Sequence, residues 1–255
     1  MPLAKINRLF WDIETSPNVG LFWQSGYKLS ISHDSIVQER AIMCICYKWE
    51  GRKKVHSLTW NKGDDFDMVK EFIEVLNTAD EIVAHNGDNF DTKFFNSRVI
   101  YHQLEPCRQV NQVDTLKIAR KRFRFNSNRL DYLGKYLFNE GKISTSYSLW
   151  KDILLKNCKK AMDAMVKYCK KDVVLLEKVF HRLHKYDSNK THIGLLNGSD
   201  AWTCPNCGTT DVTRDGVRYT SMGKKYRMRC KKPCARNYQI SQSNLNKYYE
   251  FKKFQ

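Results

Sequence analysis

No apolar run in this 255-residue sequence approaches the roughly 18 residues that a membrane-spanning helix needs, which argues against a transmembrane protein. Nothing at Met1-Pro2-Leu3-Ala4-Lys5 resembles a secretion signal either, since that segment runs straight into a strand-like stretch. The nine cysteines are an odd number, and without a signal they argue against a disulfide framework and for a reducing compartment. Internal repeats are lacking too. A soluble, cytoplasmic protein is therefore expected, with room for one α/β domain and a small appendage. Acidic side chains are in short supply, 27 against 44 basic ones, for a formal charge of +17. Such an excess favours polyanionic partners, nucleic acid first, because no basic amphipathic anchor helix points to a membrane surface.

Against that basic background, Phe10-Trp11-Asp12-Ile13-Glu14-Thr15 stands out. Asp12 and Glu14 are two residues apart, so on a strand both carboxylates share one face. They are a solvated strand end or half of a metal site, and the second reading needs carboxylates from later in the chain. Ile6 to Ile13 reads as a buried strand. An irregular segment from Ser16 to Gln38 follows, with Phe22, Trp23 and Tyr27 placed to stack on unpaired bases or to cover the core. Arg40–Trp49 and Lys54–Trp60, joined at Glu50-Gly51-Arg52, suggest an antiparallel pair. Phe66, Val69, Phe72, Ile73 and Leu76 recur at helical spacing, and Glu81 to His85 is a short strand. A helix is expected from Asp91 with Phe94, Phe95, Val99 and Ile100 inward, and another from Asp114, whose side chain suits an N-cap before an acid that backs the metal site. Further helices are marked by Leu130, Leu133, Tyr136 and Leu137, by Leu149 to Leu155, and by a long amphipathic stretch from Lys159 to about Lys185. On that last helix Tyr168 and Asp172 lie one turn apart on one face.

Asp91 and Asp172 sit where elements begin or converge. Together with Asp12 and Glu14 they make four carboxylates from three elements. Such a set can hold two magnesium-like ions about 4 Å apart, a spacing suited to phosphoryl displacement. The series Asp12-x-Glu14, then Asn86-x3-Phe90-Asp91, then Tyr168-x3-Asp172 resembles the three-motif signature of the DEDD exonucleases, the DnaQ-like superfamily with an RNase H-like fold. The tyrosine of the third motif resembles the tyrosine-bearing subgroup. Asp12 to Pro17 with its aromatic-rich loop is similar to free-standing exonuclease-like proteins of bacterial viruses, which would place the chain in a host cytoplasm.

The resemblance spans roughly Ile6 to His184. It implies a mixed sheet flanked by helices and 3′ to 5′ exonuclease activity using two Mg2+ or Mn2+ ions. Asp12 would bridge both ions, Glu14 and Asp172 would complete one, and Asp91 would anchor the other. Tyr168 would position the attacking water and Asn86 would lie beside the substrate strand. The expected partner is a single-stranded or frayed 3′ end, DNA before RNA, with replication or repair proteins as further partners. Asp88 is the competing acid of the second motif, and His85 reads as a structural strand-end histidine. Rival readings are an inert nucleic-acid-binding protein and an endonuclease of the same fold.

Residues 1–187 would form the exonuclease domain, 188–200 a linker and 201–255 a second domain with a basic tail. Cys204-Pro205-Asn206-Cys207 and Cys230-Lys231-Lys232-Pro233-Cys234 supply four thiols in paired spacing. That pattern suits tetrahedral zinc before iron, in a segment too poor in apolar residues to fold without a metal. A zinc ribbon with strands at Val212–Tyr219 and Lys224–Arg229 is expected. Lys225 and Arg227, interleaved with tyrosines, are candidate nucleic-acid contacts unless the ribbon docks on protein. Arg122 and Arg124 guide a substrate backbone or form a solvated helix face. Cys44, Cys46, Cys107, Cys158 and Cys169 read as small core residues.

Overall fold

The computed structural model describes residues 6–26, 30–141, 146–187 and 191–254. Tyr27 of the aromatic segment lies outside the described residues. Two compact units divide the chain, one of them spanning Arg8–Asp187.

In that unit the strands are β1 (Arg8–Thr15), β2 (Val19–Gly20), β3 (Ile36–Gln38), β4 (Ile42–Trp49), β5 (His56–Thr59), β6 (Glu81–Ala84) and β7 (Asn111–Asp114). Helices α1 (Phe66–Asn77), α2 (Asp91–Tyr101), α3 (Thr115–Arg122), α4 (Leu130–Phe138), α5 (Ser148–Lys156) and α6 (Lys159–Leu183) alternate with and then follow them. Five strands form one sheet in the order β5-β4-β1-β6-β7. β4 runs antiparallel to both of its neighbours, β1 and β5, whereas β6 and β7 run parallel to β1. This is the mixed sheet flanked by helices expected of an RNase H-like fold. Within Ser16 to Gln38, β2 and β3 pair as a small antiparallel ribbon.

β1 is the central strand, and its pleat sorts side chains between two helical layers. Trp11 packs against Phe72 of α1 and Phe95 of α2, with ring centroids 5.2 and 6.1 Å apart. Phe10, pointing the other way, meets Phe180 of α6 edge-on at 5.3 Å. Asp12 and Glu14 follow Phe10 onto the α6 side by strict alternation.

β7 was not foreseen. Its sequence Asn-Gln-Val-Asp has one apolar residue, which suffices at a sheet edge but leaves no alternating pattern to read. Ile100, expected inward, is exposed near the end of α2.

A buried polar anchor lies behind the sheet. Asp65 accepts from the Ile42 backbone N–H at 2.8 Å, from Arg98 Nε and Nη2 at 2.8 Å each, and from His102 Nε2 at 2.6 Å. Burial pushes this carboxyl up, but Arg98, His102 and the Ile42 amide together outweigh it and hold the group below the ordinary carboxylate value. Asp65→Ala strands a buried guanidinium and is expected to cost about 3–5 kcal/mol in urea unfolding. The sign with pH follows from the depressed value. The stabilisation is complete above the unfolded carboxylate's pKa of about 4 and is lost as pH falls below it, through the folded value. The wild type should therefore lose more stability than Asp65→Ala between pH 5 and pH 2, a range given as an order-of-magnitude window.

The second unit contains α7 (Ile193–Leu196), β8 (Val212–Thr220), β9 (Gly223–Cys230), β10 (Asn237–Ile240) and α8 (Gln242–Lys253). The three strands form an antiparallel sheet in the order β10-β9-β8. Its small core holds Trp202, Val212, Tyr226, Met228, Ile240, Leu245 and Tyr248. Two expectations differ here. The segment read as a linker carries α7, tied by a 2.9 Å bond from Ile193 N–H to the Pro205 carbonyl. The basic tail folds as β10 and α8, whose buried Leu245 and Tyr248 are too few to show a helical period.

Candidate active site

The C-terminal end of β1 is fixed from several sides. Asp12 pairs with Cys46 and Glu14 with Cys44 across the β4 ladder, and the register shifts after Glu14. Just beyond, Trp150 Nε1 of α5 donates to the Thr15 carbonyl at 3.1 Å. From above, α6 lays Asp172 against the pair, so that oxygens of Asp12, Glu14 and Asp172 all fall within 4.8 Å of one another. Asp172 is buried, while Asp12 and Glu14 are half-buried. Cys169 Sγ, three residues before Asp172, contacts Asp12 Oδ2 at 3.6 Å and the Asp12 carbonyl at 3.5 Å.

Asp91 approaches from the other side of β1. It opens α2, is buried, and its Oδ1 accepts from the Ile13 backbone N–H at 3.3 Å. That bond places the fourth carboxylate beside the backbone between Asp12 and Glu14. Tyr168 is half-buried on α6, one turn before Asp172.

The loop from His85 to Phe90 sets Asp91 in place through its backbone. Asn86 is left-handed at φ 70°, and its N–H donates to Asp114 Oδ1 at 2.9 Å. Gly87 has no room for a side chain: a Cβ there would lie 2.4 Å from the Ala84 Cβ. Asp114 also accepts from Leu116 N–H at 2.9 Å, so it caps α3, as expected, and ties the loop to it. Asp88, the competing acid, is engaged by the Lys117 ammonium. The His85 ring is held at both nitrogens, Nε2 donating to the Asn128 carbonyl at 2.9 Å and Nδ1 hydrogen-bonded with the Thr115 hydroxyl at 2.8 Å. That is a structural role.

A cavity of about 650 Å³ adjoins this loop, lined by His85, Asn86, Arg120, Asn128 and Arg129 among others. Its lining mixes polar and apolar residues, with two arginines and Asp131, and it was not foreseen, because residues 126–129 carry no motif. Trp23 is fully exposed, with Leu21 and Phe22 exposed beside it, so the aromatic segment does not cover the core there. Arg122 is not extended for a ligand; its Nε and Nη2 bind Asp187 Oδ1 at 3.2 and 3.0 Å. Arg124 is exposed.

In the second unit, the sulfurs of Cys204, Cys207, Cys230 and Cys234 lie within 4.8 Å of one another. Cys204 and Cys234 are 3.5 Å apart, Cys207 and Cys230 3.7 Å. Four sulfurs about 2.3 Å from a tetrahedral ion would stand about 3.8 Å apart, so the set fits zinc. The Cys204 hydrogen bond draws the Cys207 thiol down to about 5. Lys225 is half-buried on β9, and neighbouring Arg227 is paired with Asp215 at 3.2 Å.

A family model described as RNase_H superfamily matches residues 33–184. Among curated proteins, the chain is 44% identical over 54 residues to a "DNA polymerase III PolC-type" of Ureaplasma parvum serovar 3, a match covering 21% of this chain and 4% of that one. Among solved structures, the family B DNA polymerase of the hyperthermophilic archaeon Pyrobaculum calidifontis superposes with a TM-score of 0.56 at 15% identity, over 75% of this chain and 25% of the polymerase. The chain thus corresponds to a small part of each polymerase. Among the described residues no helix is long and apolar enough to cross a membrane. The family match covers most of the unit that carries the carboxylates, and the chain belongs to the RNase H superfamily.

Proposed function

We propose that this protein is a metal-dependent 3′ to 5′ exonuclease acting on single-stranded or frayed DNA ends. Family membership supports the broader statement, a nuclease that hydrolyses phosphodiester bonds. The observation that carries the finer reading is the cluster of Asp12, Glu14 and Asp172 within 4.8 Å, with Asp91 hydrogen-bonded to the strand between the first two. Oxygen donors at this spacing fit hard divalent cations such as Mg2+ or Mn2+. Asp12, Glu14 and Asp172 would hold one ion, and Asp91, with Asp12 shared, a second. When bound, such ions activate a water and offset the charge on the departing oxygen.

The protein's own groups do the rest. The Tyr168 hydroxyl, one turn from Asp172, orients the attacking water. Asn86 lies beside the strand, and the adjoining cavity with Arg120 and Arg129 receives the nucleotides behind the scissile bond. Trp23 offers an exposed ring for a base to stack on. The second unit adds a zinc-bound ribbon whose Lys225 and Arg227 contact the backbone. The relative named as a DNA polymerase supports DNA over RNA as substrate.

Digestion of 5′-labelled and 3′-labelled single strands of DNA and RNA with Mg2+ tests this reading. Exonuclease action from the 3′ end releases the 3′ label at once as a mononucleotide and shortens the 5′-labelled strand in a ladder. Internal cuts in both would identify an endonuclease, and no cleavage an inert binder. Exchanging both Arg120 and Arg129 for alanine should lower the slope of log affinity against log salt by about 1.4, the share of two phosphate contacts on a single strand. An unchanged slope would remove the cavity from the substrate path.

A further inference from the structure

Directly beneath the carboxylates, three cysteines that sequence assigns to the core meet at one point. Cys44 and Cys46 are two apart on β4 and share its face toward α6, which supplies Cys169. Their three sulfurs lie within 4.8 Å of one another, and none of the three residues is exposed to solvent. In an ordinary core, neighbouring positions are filled by shape alone, with no reason for three polarizable donors to converge. Sulfurs around a three-coordinate ion at about 2.3 Å would stand about 4.0 Å apart, within the 4.8 Å limit that the trio observes.

We propose that Cys44, Cys46 and Cys169 form a binding site for one soft cation, of the class of Cd2+, Zn2+ or Cu+. Softness separates it from its neighbour. Carboxylate oxygens suit hard Mg2+ or Mn2+, whereas thiolates select soft ions, so two adjoining sites sort cations by chemistry. Asp12 is the joint between them, with its Oδ2 3.6 Å from Cys169 Sγ. Binding of Cd2+ releases the three thiol protons to solvent and leaves a centre of net charge −1. The Cys169 contact to Asp12 then loses its proton, and the acidic cluster gains a negative neighbour. This site does not depend on the nuclease reading.

Cadmium is the probe, followed on the full-length reduced protein by its thiolate absorption and by 113Cd NMR. The expected result is a cadmium–thiolate signal that persists in Cys207→Ser, which disables the other cysteine cluster, and disappears in Cys46→Ala. Excess Mg2+ should not displace it. Affinity should fall at least about a hundredfold on loss of one sulfur, the upper end of what losing even an outer partner costs. Cys169→Ser, nearly the same size, serves as a second variant should Cys46→Ala misfold. The proposal is overturned if the wild type shows no cadmium–thiolate signal beyond one that Cys207→Ser abolishes. It is equally overturned if every such signal survives in both Cys46→Ala and Cys169→Ser.

Discussion

Asp12→Asn should lower single-turnover cleavage of a DNA 3′ end by at least about a thousandfold, or about 4 kcal/mol of transition-state stabilisation. Asp12 lies within 4.8 Å of Glu14 and Asp172, on the strand that Asp91 binds, so its charge would be shared by cations held in the proposed cluster. The variant keeps the side chain's size and the β1 register, and affinity for the strand should change little. A stability readout separates chemistry from collapse. Three carboxylates within 4.8 Å repel one another when no cation is present. The cation-free variant should therefore melt at or above the wild-type temperature, while the rise in melting temperature that Mg2+ gives the wild type should shrink. A variant that still cleaves at a tenth of the wild-type rate would move the catalytic centre elsewhere.

The other large effect belongs to Cys204, Cys207, Cys230 and Cys234. Elemental analysis should find one zinc per chain that Cys207→Ser or strong chelation removes, whatever metal the Cys44, Cys46 and Cys169 site carries. Metal binding and folding are coupled in small thiolate sites by about 10 kcal/mol or more, beyond what a core of Trp202 and a few other buried side chains can replace. The second unit should then open to protease while residues 8–187, with their own core around Phe10, Trp11 and Phe72, survive as a resistant fragment. Retention of protease resistance across 191–254 without metal would show that the ribbon stands on its apolar contacts alone.

Much of the first unit was legible because its elements are strongly patterned. The antiparallel β4–β5 pair and the period of α6 follow from alternation and from helical spacing. Asp12, Glu14 and Asp172 could be proposed as a set because two sit on one strand face and the third follows a tyrosine by one turn. What escaped depended on distance in the chain. β7 is recognisable only through its ladder to β6, since Asn-Gln-Val-Asp has no period of its own. The anchor of Asp65 with Arg98 and His102, and the meeting of Cys44 and Cys46 with Cys169, join elements that no local window spans. Trp23 could not be assigned from sequence, because exposed and buried aromatics look alike until the surrounding loop is seen.

The alternation along β1 has a last consequence. Phe10, Asp12 and Glu14 face α6, while Trp11 and Ile13 face the opposite layer, so core packing and charge are written into the same strand one residue out of phase. Inserting or deleting a single residue within Leu9–Ile13 would exchange the two sets, driving carboxylates into the aromatic layer and an indole into the acidic one. β1 therefore behaves like a reading frame. Side-chain replacements along it are graded in their effects, but a frame shift of one position forfeits fold and chemistry together.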